Sequence, residues 1–140
     1  MKIVLKNSLI SKASSLVEQI KVKGKDALAL AKFKKLLNRK LNEVAEDEQA
    51  LMSGYTIGEG QAKQIDPAKL DEYKKEHEAF LEQGAEIEGG TYVNHIDDVD
   101  KILDGWVDTH EISGPDLDGY LALHEAFEDA KDTADEAKED

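Results

Sequence analysis

Two histidine–glutamate pairs are the residues best placed, by type and spacing, to do chemistry. Leu70-Asp71-Glu72-Tyr73, three residues, then His77-Glu78-Ala79-Phe80 recurs 47 residues later as Leu117-Asp118-Gly119-Tyr120, three residues, then His124-Glu125-Ala126-Phe127. Each copy follows a proline, Pro67 or Pro115. Zinc or di-iron sites carried on helices need ligands three or four residues apart, as in His-Glu-x-x-His. Four residues beyond each histidine stands Leu81 or Glu128, so neither helix supplies a second histidine in register. Both histidines instead neighbour core aromatics, where a half-buried, hydrogen-bonded imidazole is expected. The repeat itself reads either as a duplicated helix or as two amphipathic helices converging on one pattern, and the second is simpler. Two copies do not make a solenoid.

The acidic runs fail the calcium-loop spacing. Taking Gly119 as position six of an EF-hand puts Gly114 at position one, and taking Gly105 puts Ile102 at position three. Asp97, Asp98, Asp100 and Asp104 read more simply as a helix N-terminus and its wet face. Gly54, Gly58 and Gly60 are not followed by the Lys-Ser/Thr of a phosphate loop, and no serine elbow appears. Among 31 carboxylates, nothing in the spacing puts two into a dry pocket. No catalytic residue, metal ligand or cofactor is therefore assigned, and the expectation is a protein that is not an enzyme.

Composition narrows the partners. Residues 1–44 hold 11 Lys/Arg against 3 acids, a net +8, and residues 45–140 hold 7 against 28, a net −21. Either the basic part docks on the acidic part, within or between chains, or the two surfaces never meet. The lysines of 21–40 are the one candidate for phosphate contact. The repulsive remainder and the few aromatics disfavour nucleic acid as a partner. The chain has no cysteine, which removes disulfides and thiolate sites. It has no apolar run long enough for a membrane span or signal peptide, so no membrane association is expected.

The elements that must position these residues follow from periodicity. Asp26–Met52 carries Leu30, Leu37, Val44 and Leu51 seven apart, with Phe33 and Leu41 between, and no Gly or Pro interrupts it. This predicts one long central helix, with Asp26 as its cap. Lys2–Lys6 reads as a short strand, and Asn7 or Ser8 can cap a helix with Leu9, Ala13, Leu16, Val17 and Ile20 on one face. Asp66-Pro67 opens a third helix with Leu70, Tyr73, His77, Phe80 and Leu81 inward, and Gly84 is its stop. Ala85–Glu88 and Thr91–Asn94 flank Gly89-Gly90 as a candidate hairpin over 85–94, unless one segment pairs with the N-terminal strand. A fourth helix over about 96–108 points Val99, Ile102, Leu103, Trp106 and Val107 inward. Ser113-Gly114-Pro115 opens a fifth, with Leu117, Tyr120, Leu121, His124 and Phe127 on one face. Residues 1–130 thus form a single, mainly α domain with a small β element (α+β), about five helices around one long one. An acidic, disordered tail is expected over 131–140.

Several segments together resemble a family. Met1–Asn7, Lys12-Ala13-Ser14, Lys23-Gly24-Lys25 and Lys32–Leu37 are similar to the N-terminal half of a small uncharacterised family from phages and prophages of Gram-positive bacteria. Glu43–Gln49, Asp100–Leu103 and Glu125-Ala126-Phe127 extend the likeness over about residues 1–130. Asp26–Leu30 departs from it, where a more polar, arginine-bearing stretch is expected. The resemblance implies genes near those for tail proteins and lysis, and a chain in the bacterial host cytoplasm or on the virion. It carries no catalytic residues. The expected function is a non-enzymatic phage accessory protein acting through protein–protein contact, in virion or tail morphogenesis. The alternative is an acidic early protein that inhibits a host nucleic-acid-binding enzyme. The candidate interaction surface is Lys32, Lys35, Arg39, Glu46 and Asp47 on the central helix, with a phage structural or host protein as partner, or a second copy of the chain.

Overall fold

A computed structural model describes the backbone of residues 2–88 and 93–139, and the side chains of 2–88 and 98–132. Strand β1 (Lys2–Lys6) alternates exposed and buried residues, turning Ile3 and Leu5 inward. It pairs antiparallel with β4 (Gly84–Glu88), which alternates the same way; Ile3 opposes Ile87 and Leu5 opposes Ala85. Of the two pairings open to 85–88, the one with the N-terminal strand is formed. Val93 and Asn94 belong to a helix, and Gly89–Tyr92 lie outside the described residues. Such a ribbon is marginal in water alone. Here the helices over Asn7–Gln19, Lys25–Ser53 and Pro115–Glu139 back its apolar face.

Helix α1 (Asn7–Gln19) buries Ile10, Ala13, Leu16 and Val17. Asn7 does not cap it. Its side-chain amide donates to the Phe80 carbonyl at 2.8 Å, and its backbone N–H donates to the Gln83 carbonyl at 2.9 Å. Helix α2 (Lys25–Ser53) is the uninterrupted rod expected from its stripe. Its N-cap is Gly24, at φ 62°, a left-handed conformation that favours glycine, and Asp26 sits inside the first turn rather than at the cap. Only Ala29, Leu30, Phe33 and Leu37 are fully buried; Leu41 and Val44 pack against the core from its edge. The far half of α2 therefore extends out of the core.

Short strands β2 (Thr56–Ile57) and β3 (Gln64–Ile65) turn the chain back at the outer end of α2. Asp66 accepts from the Ala68 N–H at 3.0 Å and caps a 3-10 turn, Pro67–Lys69, that leads into α3 (Leu70–Glu82). No residue of α3 is fully buried. Its last turn stops at an extended Gln83, and Gly84 already belongs to β4.

Helix α4 (Val93–Thr109) begins earlier than expected and buries Val99, Ile102 and Leu103, with Trp106 half-buried. Helix α5 (Pro115–Glu139) runs through most of 131–140, the stretch for which a disordered tail is expected. Its buried face also differs from the expected one. Ala122, Leu123, Ala126, Phe127 and Ala130 face the core, while Leu117 and Leu121 are about half exposed, at 49% and 51%. The face is turned by about a third of a turn. Small residues explain this: a Cβ on Gly119 would stand 2.7 Å from the Lys12 carbonyl oxygen, so the α5 backbone lies directly against α1. Phe33 and Phe127 meet in the middle of the core, ring centroids 5.9 Å apart. Among the described residues no helix is long and apolar enough to cross a membrane.

Candidate functional site

Each copy of the repeat builds a tyrosine–histidine–carboxylate cluster against a neighbouring helix. In α3, Tyr73 stacks on His77 one turn later, centroids 5.4 Å apart, and His77 Nε2 lies 3.2 Å from Glu48 of α2. Tyr55 adds a second ring against Tyr73, and its hydroxyl donates to Glu72 at 3.4 Å. In α5, Tyr120 stacks on His124 at 5.8 Å, and His124 Nδ1 lies 3.9 Å from Asp104 of α4. The Tyr120 hydroxyl donates to Asp104 at 3.0 Å. Burial, reinforced by that hydrogen bond and by the Asp104 charge, pushes the phenol up to about 12.

The α4–α5 cluster is the more developed of the two. Asp100 lies one turn before Asp104 on α4, and its side chain is 5% exposed, not on the wet face expected for it. The Lys131 ammonium from α5 binds it directly. A carboxylate withdrawn from water needs such a partner, because its desolvation costs several kcal/mol or more otherwise. His124 Nδ1 is in the opposite condition: it is shut off from solvent and has no hydrogen-bond partner. One donor atom each from Asp100, Asp104 and His124 lie within 4.8 Å of one another. Among the described residues this is the one such group of three. The spacing rule applied to the sequence looks for ligands along one helix. Here two ligands come from α4 and one from α5. The i,i+4 pairs Asp100/Asp104 and Tyr120/His124 were the available signal, but only the helix pairing brings them together.

The residues marked as an interaction surface fall on α2 as its period dictates. Lys32, Lys35, Arg39 and Glu46 share the side turned away from the core. Lys35, Arg39 and Glu46 are exposed and Lys32 is half-buried. Asp47 stands apart from that stripe. It lines an open groove of about 330 Å³ with Lys40, Glu43 and Val44 on one wall and Phe80 and Gln83–Glu86 on the other. The basic and acidic parts of the chain do meet. Lys2 pairs with Glu86 at 3.3 Å, Lys6 with Glu82 at 2.8 Å and Lys12 with Asp118 at 3.1 Å. All three pairs are largely exposed, where water and salt screen the attraction and leave each pair little to add to stability. Compared with protein-family models, curated proteins and solved structures, the chain matches none.

Proposed function

We propose that this chain is a non-enzymatic accessory protein that works by protein–protein contact, in the virion or tail of a phage. The observation that carries the reading is the outer half of α2. From Leu41 onward the helix continues for three turns without a fully buried residue, and it is accompanied by α3, which has none either. Such a helix gains little from core burial, and its ordering has to be sustained by packing of one helix on the other. A rigid, charged arm that adds so little to the core is a surface held out for contact. Its outward stripe runs from basic Lys32, Lys35 and Arg39 to acidic Glu46, which suits a partner of graded charge. At its tip, Met52, Thr56 and Ile65 line an open apolar hollow of about 260 Å³.

The phage context rests on the family resemblance; the arm supports only the contact. The test is a phage carrying Lys35→Glu with Arg39→Glu in this gene. Particles should contain the wild-type chain by mass spectrometry, lose the variant, and assemble fewer complete tails. Normal assembly after deletion, with no copy of the chain in purified particles, defeats the reading. Capture instead of a basic nucleic-acid enzyme, released by salt, supports the alternative of a host inhibitor.

A further inference from the structure

We propose that Asp100, Asp104 and His124 form a binding site for one divalent transition-metal cation, seated between α4 and α5 where the Lys131 ammonium now neutralises Asp100. The inference is independent of the protein-contact reading. Three observations converge on it. The donors are two carboxylate oxygens and one imidazole nitrogen gathered within 4.8 Å. Asp100 is a carboxylate almost wholly removed from water, whose charge is balanced by a lysine that is itself 42% exposed. His124 Nδ1 is a buried nitrogen with nothing to bind, in a protein where such an atom ordinarily finds a partner.

A neutral imidazole protonated on Nε2 presents its lone pair at Nδ1, the atom that faces Asp104. A hydrogen bond to that atom would need a donor, and ionised Asp104 offers none. A cation satisfies the nitrogen and both carboxylates at once. The mixed donor set selects the class: imidazole suits zinc, cobalt and nickel, while magnesium and calcium prefer oxygen alone. Metal bonds of about 2.0–2.2 Å bring neighbouring donors to roughly 3–3.5 Å, so the cluster must contract slightly on binding. Asp104 and His124 can make that movement, since their side chains are about half exposed. Tyr120 donates to Asp104 Oδ1, the same oxygen that lies 3.9 Å from His124 Nδ1, and so fixes the position of that carboxylate. The Lys131 side chain is 42% exposed, so its ammonium can swing into water as the ion enters.

The test titrates the full chain with Co2+, followed by visible absorption and competed with Zn2+, alongside thermal unfolding. One ion per chain is expected, with a ligand-field spectrum that includes nitrogen. His124→Gln and Asp104→Asn each weaken binding by at least about tenfold while circular dichroism stays unchanged. Lys131→Met is the second arm. It strands the Asp100 charge, so the metal-free protein melts lower, and Zn2+ restores the melting temperature while Mg2+ does not. Absence of saturable binding, binding that survives His124→Gln, or a Lys131→Met protein indifferent to Zn2+ each overturns the proposal.

Discussion

The two copies of the repeated segment have the same tyrosine, histidine and phenylalanine in the same register, yet one is core and the other is surface. In α5, Phe127 is fully buried with Leu123 and Ala126 around it. In α3, the corresponding Phe80 and Ala79 are half-buried and exposed, and no residue of the helix is fully buried. The difference lies in the residues between the shared ones. Leu121-Ala122-Leu123 fills the gap in α5, and Lys74-Lys75-Glu76 fills it in α3. Position 119 is glycine where position 72 is glutamate. An aromatic–histidine pair in a helix thus sets a local stack against a neighbouring carboxylate in both places. Whether that helix enters the core is decided by the small and apolar residues on the adjoining face.

Truncating the two phenylalanines should separate the copies most sharply. Phe127→Ala removes a ring packed on Phe33 and is expected to destabilise the fold by about 3–5 kcal/mol in urea unfolding. Phe80→Ala removes a half-buried ring and should cost about 1 kcal/mol, in line with its share of buried area. Equal losses at both positions would mean that α3 is as much a part of the core as α5.

The next test fills the glycine. A Cβ at Gly119 would meet the Lys12 carbonyl oxygen at 2.7 Å and its carbon at 2.9 Å, both backbone atoms that cannot rotate away. Overpacking costs about 1–3 kcal/mol, against a helix-propensity gain of about 1 kcal/mol for Gly→Ala. Gly119→Ala should therefore destabilise modestly, and Gly119→Leu far more. Glu72→Ala, at the matching place in α3, should change stability by less than about 0.5 kcal/mol. A stabilised Gly119→Ala protein would show that α1 and α5 are not in close backbone contact.

If α5 is held by its face, α3 is held at its end. The Asn7 side chain donates to the Phe80 carbonyl, which also accepts from the Gln83 N–H, and the Asn7 backbone N–H donates to the Gln83 carbonyl, so the end of the helix is tied to the strand–helix junction. Asn7→Ala should cost about 1 kcal/mol, felt locally. Hydrogen exchange of α3 amides should quicken by about fivefold while α5 is unchanged. Uniform quickening across both helices would make the tether global.

Much of this was legible in the chain itself. The period of Leu30, Leu37, Val44 and Leu51 predicts the long helix, and the alternation at Lys2–Lys6 predicts a strand, because both are local signals. The stripe could not reveal that burial stops near Leu37, since a helix keeps its period whether or not another element covers it. The inward face of α5 is not the one its large apolar residues mark, because such residues mark a face only when the partner is distant. Where Gly119, Ala122 and Ala126 let two backbones meet, the small residues are the interface. Of the two pairings open to 85–88, the one with the N-terminal strand is formed: Ile87 and Ala85 match Ile3 and Leu5 from 84 and 80 residues away, and turn chemistry at Gly89-Gly90 could not choose between them. The cluster of Asp100, Asp104 and His124 depends on how α4 meets α5, which no spacing rule within one helix contains.

The smallest expected effect concerns the second tether of α3. Lys6, at the end of β1, pairs with Glu82 in the last turn of α3 at 2.8 Å. The hydrogen bond to Glu82 and then its charge raise the Lys6 ammonium above its usual value, against a small opposing effect of burial. A raised lysine stabilises the fold below its unfolded value near 10.5, and that contribution disappears as pH rises through the folded value. Because the pair is exposed, salt screens it, and the readout is the titration itself rather than stability. Followed by side-chain NMR at low salt, Lys6 should titrate above the usual lysine value of 10.5. Glu82→Gln should lower it toward that value, with α3 exchange barely altered. A Lys6 titration indifferent to Glu82→Gln would leave Asn7 as the tether that holds α3 to the strand.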